Sequence, residues 1–578
     1  MKISENAFTV LKSRYLLKNA NGFVTENPLQ LFKRVASHIA KAELTFGKTK
    51  DEKKWQSEFL KIMRDLKFMP NSPTLMNAGT LEGQLSACFV LPVGDSIESI
   101  FTTLKNTAII HQSGGGTGFN FSALRPNGDF ISSNSGSSSG PLSFIKIFDI
   151  ATEYIKQGGK RRGANMGILN IDHPDIEEFI TAKNKEDELK NFNISVGISN
   201  KFMQAVLKNT EWKLKHPTTG KFIKKIKARY LWNLITENAW QTGDPGIIFI
   251  DTINKSNPTP SIGKITCTNP CGEVPLLPFE ACNLGSIDVS KFVNKKNKKI
   301  NWEELEKTIN TAIRFLDNVI EMNDYLLPEI NSLVKGNRKI GLGIMGWANL
   351  LIMLEIPYAS NKAITLAKQL MKFINNKSAK ASAALAKERG VFINWKNSIY
   401  YPHTPIRNAT RTSIAPTGTI SIIANTSSSI EPLFALATRR ENVLNNETLS
   451  EINSLFIQYL KKNHFYSKKL INHVLQYGTI ENTELPKKIK HLFKTALEIE
   501  AEWHLKHQIA FQQYTNNAVS KTINLPQSAT VQNISNAYML AWKQNAKGIT
   551  VYRNNSKQKQ VLHQGSQSKT ASCKVCRD

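Results

Sequence analysis

An α/β fold is what this sequence predicts, on three observations. The first 70 residues carry apolar side chains at helical spacing. From Phe68 onward, short apolar runs broken by Gly, Ser, Pro and Asn alternate with long helical stretches. After Tyr552 the chain turns polar and has little to bury.

In order, Leu31, Phe32, Val35, Ile39 and Ala42 recur at helical spacing, as do Trp55, Phe59, Ile62 and Met63. Residues 1–70 are therefore expected to form a helical N-terminal region. The apolar runs at 87–93, 118–121, 168–171 and 194–198 read as strands. Residues 230–242, 302–325 and 363–389 read as helices between strands. Residues 71–555 form the α/β unit in this reading. Residues 556–578 form a mobile polar tail ending in Cys573-Lys574-Val575-Cys576. At 578 residues the chain exceeds the usual size of one core. No internal repeat appears at solenoid periods.

The chain holds 75 Lys and Arg against 46 Asp and Glu, a net charge of +29. Nucleic-acid binding, affinity for small polyanions such as nucleotides, and a general Lys/Asn/Ile bias would each account for this. The basic residues are spread out rather than gathered in one block, which favours the last two. Neither a leader-like apolar region nor a run long enough to span a bilayer is evident, so a soluble, cytoplasmic protein is expected, with no membrane and no nucleic-acid partner. Six cysteines in so long a chain do not make a disulfide scaffold, and their spacing lacks the paired C-x-x-C of a zinc module, so no metal site is expected. The terminal C-x-x-C suits redox exchange in a reducing compartment, a lone metal-binding pair being the alternative.

The stretch Asn269-Pro270-Cys271-Gly272-Glu273 places an amide, a thiol and a carboxylate on alternate positions, and Cys282 follows eleven residues after Cys271. In an extended segment, residues i, i+2 and i+4 share a face, so the three could converge on one small ligand. A polar loop with a buried cysteine would give the same pattern. Three glycine-rich segments could seat phosphates: residues 113–118; Gly158, Gly159, Lys160, Arg161, Arg162, Gly163 and Ala164; and Pro416-Thr417-Gly418-Thr419-Ile420-Ser421. None fits the P-loop or the dinucleotide fingerprint in context.

Taken together these segments resemble the large catalytic subunit of ribonucleotide reductase. The matching motifs are Pro70-Asn71-Ser72-Pro73-Thr74-Leu75, Ser86-Ala87-Cys88-Phe89-Val90, 114–126, 158–164, Asp172-His173-Pro174-Asp175-Ile176-Glu177, 269–273, Cys282-Asn283-Leu284-Gly285-Ser286, 415–421 and Gly548-Ile549-Thr550-Val551-Tyr552-Arg553. They run in the family's order over roughly residues 1–555. Within the family the chain looks like the class II, adenosylcobalamin-dependent type, because Val551 precedes Tyr552 where class I enzymes carry two adjacent tyrosines. A class I subunit awaiting a di-metal radical partner is the nearest rival, and a non-catalytic basic nucleic-acid-binding protein is the rival of another class. Cobalamin leaves no sequence fingerprint of its own.

The resemblance implies a ten-stranded α/β barrel of two halves, each of five parallel strands, with a central finger loop carrying Cys271. It implies thiyl-radical reduction of the ribose 2′-OH, with Cys271 as the thiyl, Glu273 as general base, Asn269 bonded to substrate hydroxyls, and Cys88 with Cys282 ending as a disulfide. Cys267 matches no role in the family and is expected to be structural. Ser72, Ala87, Cys88, Gly116, 269–273, Pro416, Thr417, Gly418, Thr419 and Ile420 would line the ribonucleotide site, a diphosphate being the expected substrate. Asp95, Ser96 and Arg125 would bind a dNTP or ATP effector at a homodimer interface. The 132–140 and 158–164 loops would carry effector identity to the substrate base. Cys573 and Cys576 would pass reducing equivalents from thioredoxin or glutaredoxin.

Overall fold

The computed structural model describes residues 3–47, 49–131, 136–157, 161–185, 188–444, 447–556 and 562–565. Its N-terminal region is helical: α1 (Glu5–Arg14), α2 (Pro28–Ala40), the short α3 (Ala42–Thr45) and α4 (Thr49–Arg64). Asn27 and Gln30 form a capping box on α2, with Pro28 at its first position, so the helix start is written in the sequence. Leu31, Phe32, Val35, Ala36 and Ile39 form its buried face.

A barrel follows. One half runs β2 (Cys88–Val90), β3 (Gly116–Asn120), β4 (Asn165–Asn170), β5 (Phe192–Ile198) and β6 (Gly246–Phe249), every neighbour parallel. The other half begins with β7 (Glu280–Asp288) and β8 (Ile340–Met345), also parallel. It continues through parallel bridges from Leu342 to Thr412 and from Ile414 to Val519. It ends with the parallel pair β9 (Thr522–Leu525) and β10 (Gly548–Arg553). The halves meet antiparallel at two seams: β2 against β7, where Cys88 faces Cys282, and β6 against β10, where Ile247 faces Ile549. Ten staves thus close the ring in two parallel sets of five, as the family resemblance implies. The stave at 412–414 is held by Ser413 N to Leu342 O (3.1 Å) and Ser520 N to Ile414 O (2.8 Å).

Alternation along each stave explains the continuous apolar runs. Cys88 and Val90 join the interior cluster with Met166, Ile168, Ile248, Cys282 and Leu284. Phe89, Ile247, Phe249 and Ala281 belong to the larger core between strands and outer helices. Both faces of the sheet are buried, as expected when crossover helices cover a parallel sheet. Phe119, Phe121, Phe148 and Phe192 pack ring against ring behind β3 to β5.

Three features depart from the sequence reading. Phe68–Pro70, at the end of the region expected to be helical, is a strand (β1) that pairs antiparallel with β7. A satellite core, including Leu436, Phe456, Leu460, Val474 and Phe493, packs as a lobe that the periodicity analysis did not separate. Within the expected tail, Leu562–Gln564 pairs with the strand Ala437–Leu444. Cys573 and Cys576 lie outside the described residues, as do 158–160 and 132–135.

A buried ionic cluster fastens the N-terminal region to the barrel. Arg389 spans Glu43 of α3 (2.7 Å) and Asp317 (3.1 Å), all three side chains fully buried. Burial pushes the Asp317 carboxyl up, but Arg338, Arg407 and Arg389 outweigh it and hold it at about 2. Such clusters fix one arrangement more than they add stability, because desolvation offsets most of the attraction.

Candidate active site

Residues 267–276 enter the barrel as a finger. Cys267–Thr268 pairs with Pro275–Leu276, and the chain turns between them. The sequence reading had Asn269, Cys271 and Glu273 converging through an extended segment. The structure corrects this: Gly272 N bonds Asn269 O (3.0 Å) in a tight turn, with Gly272 at φ +79°. A positive φ there suits glycine. The finger lies directly on β3, where a Cβ at Gly118 would stand 1.8 Å from Thr268 O.

The turn and the staves enclose a cavity of about 260 Å3. Asn269, Pro270, Cys271 and Glu273 line it, with Ser72, Ala87, Cys88, Gly116, Ala164 and residues 416–420. Of the residues expected around a ribonucleotide, only Gly272 lies off its wall. Asn71, Gly115, Leu284, Gly285, Ser286 and Ala415 also line it. They all belong to or adjoin quoted motifs, yet no residue type among them signals chemistry by itself.

Local bonds set each group. Asn269 is buried; its Oδ1 accepts from Val274 N (3.0 Å) and its Nδ2 donates to Cys88 Sγ (3.2 Å). Asn269 therefore holds the turn and touches a second cysteine. Cys271 is exposed at the tip. Glu273 is buried, and its carbonyl oxygen accepts from Ser413 Oγ (2.8 Å) and Ala518 N (2.9 Å), which fix the finger against the opposite half-barrel. Cys282, the register partner of Cys88, is fully buried. Burial raises its thiol pKa, Glu280 and Glu273 add to that, and Lys339 opposes it. Cys267, expected to be structural, is buried in the barrel interior, and burial raises its thiol pKa too.

The 416–420 segment puts backbone N–H groups on the cavity wall. Thr417 sits at φ +54°, its Oγ1 accepts from Ser429 N (2.7 Å), and Gly418–Ala424 turns into a short helix. The first intrahelical bond is Ser421 N to Thr417 O (2.9 Å), so the preceding N–H groups of Gly418, Thr419 and Ile420 lie ahead of it on the cavity wall. Ser72 opens α5 (Ser72–Asn77) and its hydroxyl meets Tyr15 OH (2.8 Å). That contact brings the N-terminal region to the site, and no motif announced it.

Cys271 also lines a second cavity, of about 320 Å3, with Pro270, Gly272, Ser195, Asp244, Gly246, Lys521, Thr522 and residues 548–550. The finger tip thus stands between two chambers.

The expected effector residues lie elsewhere. Asp95 holds Arg125 through its backbone N (3.0 Å) and Nε (2.9 Å). Ser96 caps α6 (Ile97–Gln112) by accepting from Ser99 N. Arg161 and Arg162 pair in backbone register with Gln157 and Lys156, and Gly163 leads to Ala164 at the first cavity. Among the described residues no cluster of His, Cys, Asp and Glu could hold a metal ion, and no helix is long and apolar enough to cross a membrane.

Residues 1–83 match the family model described as ribonucleotide reductase, all-alpha domain, and residues 86–405 and 401–552 match ribonucleotide reductase, barrel domain. A vitamin B12-dependent ribonucleoside-diphosphate reductase of Thermoplasma acidophilum is 48% identical over 98% of this chain and 81% of that protein. A protein of the same name from Mycobacterium tuberculosis is 45% identical over 97% of this chain and 81% of its own length. The solved class Id ribonucleotide reductase alpha subunit of Actinobacillus ureae shares the fold at 24% identity, with a TM-score of 0.78 over 96% of this chain and 97% of that one. With both family models matched in order over nearly the whole barrel and N-terminal region, the chain belongs to the ribonucleotide reductase family.

Proposed function

We propose that this chain is a class II ribonucleoside-diphosphate reductase that uses adenosylcobalamin. The observation that carries this is the placement of Asn269, Cys271, Glu273 and Cys88 on one cavity, with Cys282 in register behind Cys88. The names of the two relatives matched over nearly the whole of this chain support the cofactor and the diphosphate.

The second cavity fits the cofactor's nucleoside. Its volume suits a small ligand, it borders Cys271, and Ser195, Asp244, Ser520, Thr522 and Thr550 offer polar contacts for an adenosine. Adenosylcobalamin, when bound there, supplies the one-electron chemistry that removes hydrogen from a thiol. The chain's own residues do the rest. The Cys271 sulfur removes the ribose 3′-hydrogen. Glu273 takes the 3′-OH proton. Cys88, facing the cavity, gives a proton to the departing 2′-OH, which leaves as water; C2′ takes its replacing hydrogen from the Cys88–Cys282 pair as the two sulfurs join, and Cys271 and Glu273 return the 3′-hydrogen and the 3′-OH proton. Asn269 keeps Cys88 and the turn in place while meeting the sugar hydroxyls. The diphosphate sits against the N–H groups of residues 418–420.

Asp95, Ser96 and Arg125 bind a dNTP or ATP effector, and residues 158–164 relay its identity to the base. A homodimer forms through α6 and α7 (Gly140–Tyr154), where Ile97, Phe101, Ile150 and Tyr154 are exposed apolar side chains. Cys573 and Cys576 carry electrons from thioredoxin or glutaredoxin, which suits a reducing cytoplasm.

The test is an anaerobic assay of the purified chain with a ribonucleoside diphosphate, adenosylcobalamin and dithiothreitol. Deoxynucleotide formed without any second subunit, and abolished by Cys271→Ser while ribonucleotide binding persists, is the expected result. Reduction that ignores cobalamin and appears only with a di-metal subunit overturns the class. Salt-sensitive DNA binding with no reduction overturns the enzyme.

A further inference from the structure

Three buried polar atoms cluster behind the β2–β7 seam. Ser86 Oγ, Asn323 Nδ2 and Tyr325 OH are all enclosed and complete no hydrogen bond among the described residues. They are neighbours. Asn323 Oδ1 accepts from Leu85 N (2.5 Å) and Ser86 N (3.0 Å), which sets its amide beside the Ser86 hydroxyl. The Tyr325 hydroxyl faces the Ser86 hydroxyl closely enough for Ser86 to lower its pKa. Ser86 stands two residues before Cys88.

Buried polar groups are rarely left unmet, and three of them around one point make a site that a single water completes. Cys282 is close by. Burial raises the Tyr325 hydroxyl pKa most, Ser86 and Arg338 lower it, and Glu321 and the charge of a Cys282 thiolate raise it further. Glu280, Lys339 and Glu273 are the charges that face Cys282 itself.

We propose that Ser86, Asn323 and Tyr325 hold a buried water that returns a proton to Cys282 when the Cys88–Cys282 disulfide is reduced. The inference rests on the reading of these two cysteines as the reducing pair. Cys88 lines the cavity and Cys282 does not, so an incoming dithiol attacks as thiolate at Cys88. The S–S bond breaks, and its electron pair leaves on the Cys282 sulfur in a site that disfavours the anion. The held water protonates that sulfur, and the proton given up by the dithiol returns to the water through the Tyr325 hydroxyl, which is itself enclosed. The dithiol's second thiol then releases Cys88 and the dithiol is oxidised. The two protons it gives up balance the two that the pair gains. Tyr325 is a positioning residue in this scheme, acting on Cys282 through the water.

The experiment oxidises the pair by one turnover, adds dithiothreitol, and follows recovery of both thiols by alkylation and mass spectrometry. Tyr325→Phe keeps the ring and removes the hydroxyl. Thiol recovery is expected to slow about tenfold or more, with ribonucleotide Kd and Tm held; recovery in the intact protein is expected to slow in D2O, and that slowing is expected to be lost in the variant. Ser86→Ala provides the same comparison if the tyrosine variant folds poorly. Recovery at the unaltered rate in a folded variant overturns the relay. Full single-turnover product from Cys282→Ser overturns the reducing pair, and the relay with it. Loss of that product together with normal recovery in Tyr325→Phe overturns the relay alone.

Discussion

Asn269 Nδ2 donates to Cys88 Sγ across 3.2 Å, joining two residues 181 positions apart. The same side chain receives Val274 N through Oδ1. One amide thereby couples the finger turn to the cysteine on β2.

A hydrogen bond donated to sulfur favours its thiolate. Asn269→Asp keeps an acceptor for Val274 N but cannot donate to Cys88. Alkylation of Cys88 by iodoacetamide, read by mass spectrometry at pH 8, is expected to slow several-fold, and Tm to change little. Asn269→Ala removes both bonds and is expected to lose about 1–3 kcal/mol of stability as well, since Val274 N becomes a buried orphan. Unchanged alkylation in both variants would place the donor elsewhere.

Gly118 has no room for a side chain. A methyl group there would overlap Thr268 O and press on Cys267 Sγ. Gly118→Ala must displace the finger from β3. A stability loss of about 1–3 kcal/mol is expected by denaturant titration. Activity should fall further than stability, because Cys271 moves with the finger. Gly263→Ala, where an added Cβ meets only Leu277 Cδ2 at an ordinary 3.5 Å and φ is not positive, controls for the loss of a glycine.

His507 is buried as the neutral imidazole. Its Nδ1 accepts from Trp347 Nε1 (3.3 Å), so Nε2 carries the proton and donates to Tyr358 O (3.0 Å). Burial lowers its pKa to about 3, against an opposing hydrogen bond to Tyr358 and with Lys521 adding to the depression. The unfolded chain therefore binds a proton that the folded one refuses between about pH 6.5 and 3. Stability is full above 6.5 and is lost as pH falls toward 3. His507→Gln is expected to be less stable at neutral pH but to show a shallower fall of Tm between pH 7 and 5. An equal slope in the two proteins would mean that other groups set the acid limit.

Changing Cys573 and Cys576 together to Ser is expected to leave one round of product per active site. Turnover with thioredoxin should then stop, and a small dithiol that diffuses into the cavity should restore it. Thioredoxin-supported turnover at the normal rate would remove these cysteines from the mechanism.

Much of the site was legible in residue types and order. The helices of the N-terminal region, the stave segments and the Asn269–Glu273 motif all rest on local patterns: periodicity, capping residues and spacing. The barrel closure was not visible in that way. The stave at 412–414 lacks a strand-like signal, since its pairing comes wholly from β8 and the 517–520 segment. The strand at 68–70 was hidden behind a helical stretch because three residues carry no period.

The sequence by itself determined which chemical groups are present: a thiol at Cys271, a carboxylate at Glu273, an amide at Asn269 and two further cysteines. These follow from covalent identity and need no fold. Only the tertiary structure decided that the turn, not an extended strand, makes the three converge. It also decided that Cys88 meets Cys282 in register, that Asn269 reaches Cys88, and that Tyr15 reaches Ser72 on the cavity wall. Each of these joins segments far apart in the chain. Their distances are set when ten staves close into a ring and glycine at 118 lets the finger inside, a steric condition on the whole barrel that no local pattern encodes.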